Sequence, residues 1–268
     1  MEVIILPDRH RAAQLVARIV ARSLRANLRL VLGLATGRTM ERVYGLLADL
    51  HRLEGLNFSL CSTFNLDEYI GIPADHPGSY RRYMDELLFG QVDVTPANTH
   101  LPDGMAADLA QECRRYEAEI AAAGGIDLQL LGIGSDGHIG FNEPLSALRS
   151  RTRPKALTPA TLEQNAPMFG GDPDRVPRRA ITMGVGTILD SRRCLMLVTG
   201  ASKAGILAKA VEGPITSMVT ASALQLHPDC QVVVDAEAAA ELQGTEYYRW
   251  VFGNEPEWAE FQDLNGAI

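Results

Sequence analysis

The 268-residue chain lacks the sequence features of several broad protein classes. It has only four cysteines, and their spacing matches neither a C-x-x-C motif nor a His/Cys metal-ligand set. No apolar run approaches the roughly 18 residues that cross a membrane. The first residues, MEVIILPDR, match a strand and not a secretory signal. These absences predict free, mostly buried thiols and a cytoplasmic protein that does not enter a membrane.

Basic residues are also too few for a nucleic-acid-binding protein. The chain has 25 Lys and Arg against 33 Asp and Glu, which gives a net charge of −8. This balance argues against nucleic acid or an anionic membrane as the main partner. A small anionic substrate is compatible with it only where local groups hold the anion against the overall field.

Short apolar runs alternate with helical patterns, which is typical of βαβ units and a mainly parallel sheet. We predict one α/β domain over residues 1–268, a doubly wound, Rossmann-like sheet of about seven strands with helices on both faces. The predicted strands are 3–6, 30–35, 60–64, 127–133, 180–184, 193–199 and 232–235. The predicted helices are 11–25, 40–51, 77–89, 105–123 and 202–212. Periodicity lapses over residues 144–177, which we predict to be an irregular lid or a subunit contact.

Four polar clusters follow predicted strands, at residues 36–39, 65–69, 134–143 and 199–203. Ligands of doubly wound sheets bind beyond the carboxyl ends of the strands, so these clusters are the candidate site.

Two of the clusters are suited to an anion. Thr36-Gly37-Arg38-Thr39 lies where a strand turns into a helix, and backbone N–H groups at such a turn bind phosphate. Arg38 places a cation where the helix dipole disfavours one unless an anion is shared. Lys203 follows another strand and can reach a phosphate as a point charge. An ordinary tight turn and a solvated lysine are the alternatives.

The other two clusters carry acids and a histidine. Asp67 and Glu68 point to opposite faces of extended backbone, so at most one of them addresses a given crevice. Such a carboxylate can move a carbon-bound proton, although solvated turn acids are the alternative. Asp136, His138 and Glu143 lie within eight residues, and flanking carboxylates can fix the tautomer of a histidine and raise its basicity. We predict a catalytic histidine there and no metal site, because no third ligand with helical spacing is evident.

Residues 132–137 form a literal G-x-G-x-x-G after a strand, which invites a dinucleotide interpretation. That motif needs a helix beginning at the third glycine and an acid about 20 residues later. Gly140, Asn142 and Pro144 interrupt any such helix, and the later region reads RTRPK. We therefore predict no cofactor.

Three longer motifs carry a family resemblance: FNLDEY at 64–69, LGIGSDGHIGFNEP at 131–144 and GVGT at 184–187. In this order they resemble the glucosamine-6-phosphate deaminase (isomerase) family, and the resemblance extends from about residue 3 to about residue 250. It implies a Rossmann-like fold without a cofactor and a homo-oligomer. It also implies conversion of glucosamine 6-phosphate and water to fructose 6-phosphate and ammonia.

The resemblance also assigns roles to individual residues. It implies that His138 opens the sugar ring, with Asp136 and Glu143 orienting it, and that Asp67 moves a proton from C2 to C1. The implied phosphate ligands are Thr36, Gly37, Arg38, Thr39 and Lys203.

The chain departs from the family pattern at the phosphate site. The turn carries Gly37-Arg38-Thr39-Met40 where the family usually has Gly-Ser-Thr-Pro or Gly-Gly-Thr-Pro. Pro167 stands where a phosphate-binding arginine is common. We hypothesise that Arg38 replaces this arginine.

A possible allosteric site is only partly matched. Ser146, Arg153 and Lys155 match side chains that the family's allosteric enzymes use, but Ala147 stands in place of a second serine. Activation by N-acetylglucosamine 6-phosphate is therefore left open.

Two other functions compete with deamination. The 6-phosphogluconolactonases share the fold and a Gly-x-Asp-Gly-His stretch, but continue with Ser-Leu-Phe-Pro where this chain has Phe141-Asn142-Glu143-Pro144. A non-catalytic sugar-phosphate sensor is disfavoured because all four predicted catalytic side chains are present and no DNA-binding segment precedes Val3. The sequence does not decide the oligomeric state or the choice between glucosamine and galactosamine phosphates.

Overall fold

A seven-stranded parallel sheet forms the centre of the structure, which is a computed structural model describing residues 1–265. Its order is β1-β10-β9-β6-β2-β3-β5, numbered along the chain. These strands are β1 (Glu2–Leu6), β2 (Val31–Leu34), β3 (Ser62–Asn65), β5 (Thr99–His100), β6 (Leu128–Leu131), β9 (Cys194–Val198) and β10 (Cys230–Asp235). The predicted doubly wound, mainly parallel sheet is confirmed.

Helices surround this sheet. They are α1 (Arg9–Ala26), α2 (Arg38–Glu54), α3 (Tyr80–Leu87), α4 (Leu109–Ala122), α5 (Pro159–Asn165), α6 (Val185–Leu189), α7 (Ala204–Val211) and α8 (Thr245–Asn254). Side-chain caps explain why two of them begin later than predicted. Ser79 accepts a hydrogen bond from the Arg81 N–H at the start of α3, and Asp108 accepts one from the Gln111 N–H at the start of α4.

A second, antiparallel sheet was not predicted. It consists of β4 (Asp67–Tyr69), β8 (Arg179–Thr182) and β7 (Arg153–Ala156), with β8 in the middle. β4 and β7 have three or four residues each, too few for a pattern of alternation to be visible. The predicted strand 180–184 overlaps β8, so it lies in this antiparallel sheet and not in the parallel one, which instead contains the unpredicted two-residue strand β5. In this sheet Asp67 pairs with Thr182, which fixes the position of the acid beyond β3.

The segment 144–177 is not irregular throughout, and this part of the prediction was wrong. It contains β7, which pairs with β8, and α5, which is capped by the Thr158 side chain. Short turns precede β7, only Leu157 and Thr158 separate β7 from α5, and one-turn 3₁₀ helices follow α5. Its role as a lid or a subunit contact stays a prediction.

The core is apolar on both faces of the parallel sheet, as expected for strands covered by helices. All residues of β9 and β10 are buried, and α1 buries nine residues against the sheet. The four cysteines are free and buried, as predicted. Among the helices of residues 1–265, none is both long and apolar enough to cross a membrane.

The C-terminal residues pack against β1 and α1. The Trp258 indole is fully buried, and its Nε1–H donates to Glu2 Oε2 at 3.1 Å. Phe252 and Phe261 pack on either side of it, and the Arg18 guanidinium lies 5.1 Å from the centre of the Phe261 ring. This aromatic cluster ties the end of the described chain to its first strand.

We expect Trp258→Ala to destabilise the fold, because it empties a fully buried aromatic site. Such truncations cost about 3–5 kcal/mol, which corresponds to a fall of at least about 6 °C in melting temperature. Trp250→Ala is the matched control, since Trp250 is 60% exposed, and should stay within about 2 °C of the wild type. Equal melting temperatures for the two variants in a calorimetric scan would contradict this packing.

Candidate active site

A cavity of about 530 Å³ lies beyond the carboxyl ends of β2, β3 and β6. This is the edge at which doubly wound folds bind ligands. All four polar clusters contribute to it. The predicted site residues in its wall are Thr36, Gly37, Arg38, Thr39, Asp67, His138 and Lys203. Asp136 and Glu143 are not in the wall and lie behind His138.

Asp67 and Glu68 point to opposite sides of β4, as predicted. Asp67 lines the cavity and is 5% exposed. Glu68 points away and accepts hydrogen bonds from Ser79 Oγ at 2.8 Å, from the Tyr80 N–H at 3.1 Å and from the Arg81 N–H at 2.9 Å. Glu68 therefore organises the start of α3, and Asp67 remains available to a ligand.

The environment of Asp67 favours its protonated form. Burial, and secondly the like charge of Glu68, raise the pKa of Asp67 to about 8, while His138 acts in the opposite direction. Burial also raises the pKa of Glu68, although its hydrogen-bond donors oppose the shift. A carboxyl group with a pKa near neutrality can both accept and return a proton.

His138 is held by a tight turn after β6. The Gly134 N–H donates to the His138 carbonyl at 2.8 Å, and Gly137 has φ +90°. A Cβ on Gly134 would lie 2.3 Å from the imidazole ring, so only glycine allows the ring to fold over this turn. No helix begins at Gly137, which agrees with the rejection of the dinucleotide motif.

Two carboxylates flank one nitrogen of the buried ring. His138 Nδ1 lies 2.7 Å from Asp136 Oδ1 and 3.3 Å from Glu143 Oε2. These are ion-pair contacts and not well-aligned hydrogen bonds. Glu143 is fixed in turn by the Thr158 N–H, which donates to Oε1 at 3.0 Å. The segment 144–177 thus holds one of the acids in place.

The charges in this triad stabilise each other. Burial alone would lower the pKa of His138, but Asp136 and Glu143 outweigh it and raise the pKa to about 9. Burial likewise opposes ionisation of the two acids, and the histidine holds their pKa values below the usual range. The imidazolium with two carboxylates is therefore the dominant state near neutral pH.

The triad also corrects one step of the sequence argument. Asp136, His138 and Glu143 offer ligand atoms within 4.8 Å of one another, so a third potential metal ligand is present that the spacing did not reveal. Both carboxylates approach the same ring nitrogen, however, and a proton on Nδ1 accounts for that arrangement. The expectation that no metal binds here stays a prediction.

The strand-to-helix turn at residues 36–39, which was predicted to bind an anion, lines the same cavity. Gly37 has φ +110° and precedes α2, whose first residue is Arg38. Tyr83 fixes the turn by donating from its hydroxyl to the Gly37 carbonyl at 2.9 Å. Lys203 Nζ donates to the Ile133 carbonyl at 2.9 Å, and burial lowers the pKa of Lys203 while Asp136 opposes that shift. Arg38, Lys203 and the helix N–H groups thus line the same cavity.

Several lining residues were missed by the sequence analysis. Tyr80 closes the cavity beside Asp67, and Gln164, Asn165 and Met168 line it from the segment 144–177. The Ser135 N–H donates to Gln164 Oε1 at 3.1 Å, which connects that segment to the His138 turn. No local motif marks these residues, because α3 and α5 reach the cavity only through tertiary packing.

The possible allosteric residues lie outside the cavity wall. Ser146 is buried just after Glu143, and its hydroxyl has no partner among the described residues. Arg153 and Lys155 are two residues apart on β7, and Arg153 donates to Asn142 Oδ1 at 2.9 Å. Their allosteric role stays a prediction.

Fold and site together define a doubly wound α/β protein whose cavity combines buried acid–base groups with a strand-to-helix turn that carries Arg38. Residues 9–233 match the family model described as glucosamine-6-phosphate isomerases/6-phosphogluconolactonase. The chain belongs to this family.

Individual relatives are similar over most of their length. A glucosamine-6-phosphate deaminase from Hahella chejuensis is 49% identical over 94% of this chain and 95% of that protein. The solved structure of a monomeric glucosamine-6-phosphate deaminase is 44% identical, with a TM-score of 0.88 over 90% of this chain and all of the other. A 6-phosphogluconolactonase from Trypanosoma brucei, with 21% identity and a TM-score of 0.73 over 90% of this chain and 98% of that one, shares the fold.

The triad predicts an unusually basic histidine. In an NMR titration of ¹⁵N-histidine-labelled protein, we expect the His138 ring to lose its proton near pH 9. Glu143→Gln and Asp136→Asn should each lower this pKa, because each removes a negative charge next to Nδ1. A pKa at or below 6.5 in the wild type would contradict the ion-pair description.

Proposed function

We propose that this chain is a glucosamine-6-phosphate deaminase, which converts glucosamine 6-phosphate and water to fructose 6-phosphate and ammonia. The observation that carries the proposal is that Asp67, the turn at residues 36–39 and His138, which two carboxylates hold from behind, line one cavity. Relatives with this name, similar along almost their whole length, support it.

The phosphate of the substrate binds at the cationic end of the cavity. Backbone N–H groups at the start of α2 and the Lys203 ammonium supply positive potential there. Arg38 adds a guanidinium at the same end. It takes the place of the family's phosphate-binding arginine, since this chain has Pro167 at that position. This arrangement places the sugar between the turn and the acid–base groups.

His138 opens the pyranose ring. Its Nδ1 faces two carboxylates, so Nε2 is the nitrogen free to exchange a proton with the substrate. The imidazolium gives a proton to the ring oxygen and the C1–O5 bond breaks. The neutral ring then takes the proton of the C1 hydroxyl, which leaves an aldehyde. Asp136 and Glu143 stabilise the cation and fix the ring orientation.

Asp67 then moves a proton between two carbons. It takes the proton from C2 as His138 returns a proton to the C1 oxygen, which gives an enolamine with a hydroxyl on C1. Asp67 then returns its proton to C1, which gives an iminium at C2. Water adds to C2, and ammonia leaves as the ketone forms. The raised pKa of Asp67 matches this double role, because the group must accept and release a proton in one cycle.

The lactonases share the fold, but lactone hydrolysis would leave some of these side chains without a chemical role. Hydrolysis of a lactone has no carbon-bound proton to transfer, so it gives no role to a buried carboxyl group in the position of Asp67. The contact between Glu143 and His138 likewise suits ring opening.

We also propose a cellular location and an oligomeric state. We place the enzyme in the cytoplasm, which four free thiols support. We also keep a homo-oligomer as the expected state, although a similar solved deaminase is described as monomeric.

An assay on a small substrate panel tests the function. We expect ammonia release from glucosamine 6-phosphate, with galactosamine 6-phosphate as a second substrate to compare. A parallel assay should show little hydrolysis of 6-phosphogluconolactone. Lactone hydrolysis without ammonia release would contradict the deaminase proposal and would indicate a 6-phosphogluconolactonase.

Asp67→Asn should lower kcat by about 100-fold or more, because amide nitrogen and oxygen cannot transfer the C2 proton. KM should change little, since the phosphate is bound elsewhere. Asp75→Asn makes the same change on an exposed residue and should behave as the wild type. Near-normal turnover in Asp67→Asn would exclude Asp67 as the proton carrier.

Arg38→Ala should raise KM by about 10- to 100-fold, because a hydrogen bond to a charged group contributes about 1.5–3 kcal/mol. The kcat should stay within a few-fold if the contact is equal in ground and transition states. Arg52→Ala, which removes an exposed arginine at the far end of α2, is the matched control. An unchanged KM in Arg38→Ala would show that Arg38 does not replace the missing arginine.

A further inference from the structure

A second cavity of about 460 Å³ adjoins the active site. It lies between the starts of α1 and α2 and reaches Thr199, just beyond β9. Arg38 and Thr39 line both cavities, so the phosphate turn forms the wall between them. The mechanism uses no other residue of this second cavity.

The wall of the second cavity is rich in hydrogen-bond donors and cations. Arg9, Arg38 and Arg42 supply three guanidinium groups, and none of the lining residues is acidic. One carboxylate, Glu237, contacts these guanidinium groups within residues 1–265, at 3.3 Å from Arg9. The cavity therefore has an excess of positive charge in a chain whose net charge is −8.

His10 adds a neutral donor. Its Nδ1 accepts hydrogen bonds from Arg42 Nε at 3.2 Å and from an Arg42 terminal nitrogen at 2.8 Å. With Nδ1 accepting, the ring proton is on Nε2. The Arg42 side chain is thereby held by a neutral partner, and no acid within the described chain neutralises its charge.

We propose that this second cavity binds the phosphate group of a small phosphorylated molecule other than the substrate. Guanidinium groups bind phosphate oxygens in bidentate fashion, and Arg9 and Arg42, which the substrate site does not use, suit a dianion in this cavity. The volume exceeds what free phosphate needs and is in the range of small-molecule sites, which favours a phosphate ester. That the ligand is not the substrate rests on the proposed function, in which the substrate phosphate occupies the first cavity.

Calorimetric titration with glucose 6-phosphate tests the number of sites. We expect two equivalents per chain in the wild type and one in Arg42→Ala, with binding to the second site weakened by about 10- to 100-fold. Lys203→Met should instead weaken binding of the other equivalent of glucose 6-phosphate, which occupies the active site. Arg52→Ala, which removes the same charge from the same helix, should keep both equivalents.

Several results would overturn the proposal. One is a single equivalent in the wild type, and another is unchanged binding in Arg42→Ala. A rise in KM for glucosamine 6-phosphate in Arg42→Ala as large as that in Arg38→Ala would make the cavity an extension of the substrate site. Inorganic phosphate binding as tightly as the ester would exclude an esterified ligand. Because stoichiometry does not depend on turnover, these outcomes are separate from a failure of the deaminase assay.

Discussion

The contact of the buried His138 ring with Asp136 and Glu143 is the interaction on which the site depends. A buried imidazolium is stable only when carboxylates offset the loss of solvation, and here two of them face one nitrogen. Three parts of the chain supply this contact. The turn after β6 carries Asp136 and positions the ring, the following loop carries Glu143, and Thr158 of the segment 144–177 fixes Glu143. The direction of Nδ1 leaves Nε2 for the substrate.

The opposite requirement applies to Asp67. It is buried next to another buried acid and forms no ion pair with any residue of 1–265, so its pKa rises although the charge of His138 opposes the shift. Glu68 does not add a second charge to the cavity, because its side chain points to the start of α3. There it accepts hydrogen bonds from a hydroxyl and from backbone N–H groups. Two neighbouring acids of one short strand thus lie in different environments, because successive side chains of a strand point to opposite faces.

The parts of the site that follow from strand alternation and strand direction could be predicted from the sequence. The sequence places Asp67 and Glu68 on opposite faces and brings His138 and Lys203 to one edge of a parallel sheet, since these conclusions need only local periodicity and strand direction. Tyr80 and Gln164 could not be found in this way, because α3 and α5 are positioned by contacts with residues distant in sequence. The small antiparallel sheet was missed for the same reason, as its strands are short and pair over long separations. Its middle strand was predicted at 180–184 but was assigned to the parallel sheet.

The central claim is that Asp67 acts as a base beside a protonated His138, and the pH dependence of kcat/KM tests it most directly because it reports the free enzyme. Activity should rise as pH increases through about 8, where Asp67 loses its proton. It should fall again above about 9, where His138 loses the proton that it gives to the ring oxygen. The account therefore predicts a bell-shaped profile with its maximum between pH 8 and 9. A maximum near pH 6, or a profile that is flat from pH 6 to 9, would contradict it.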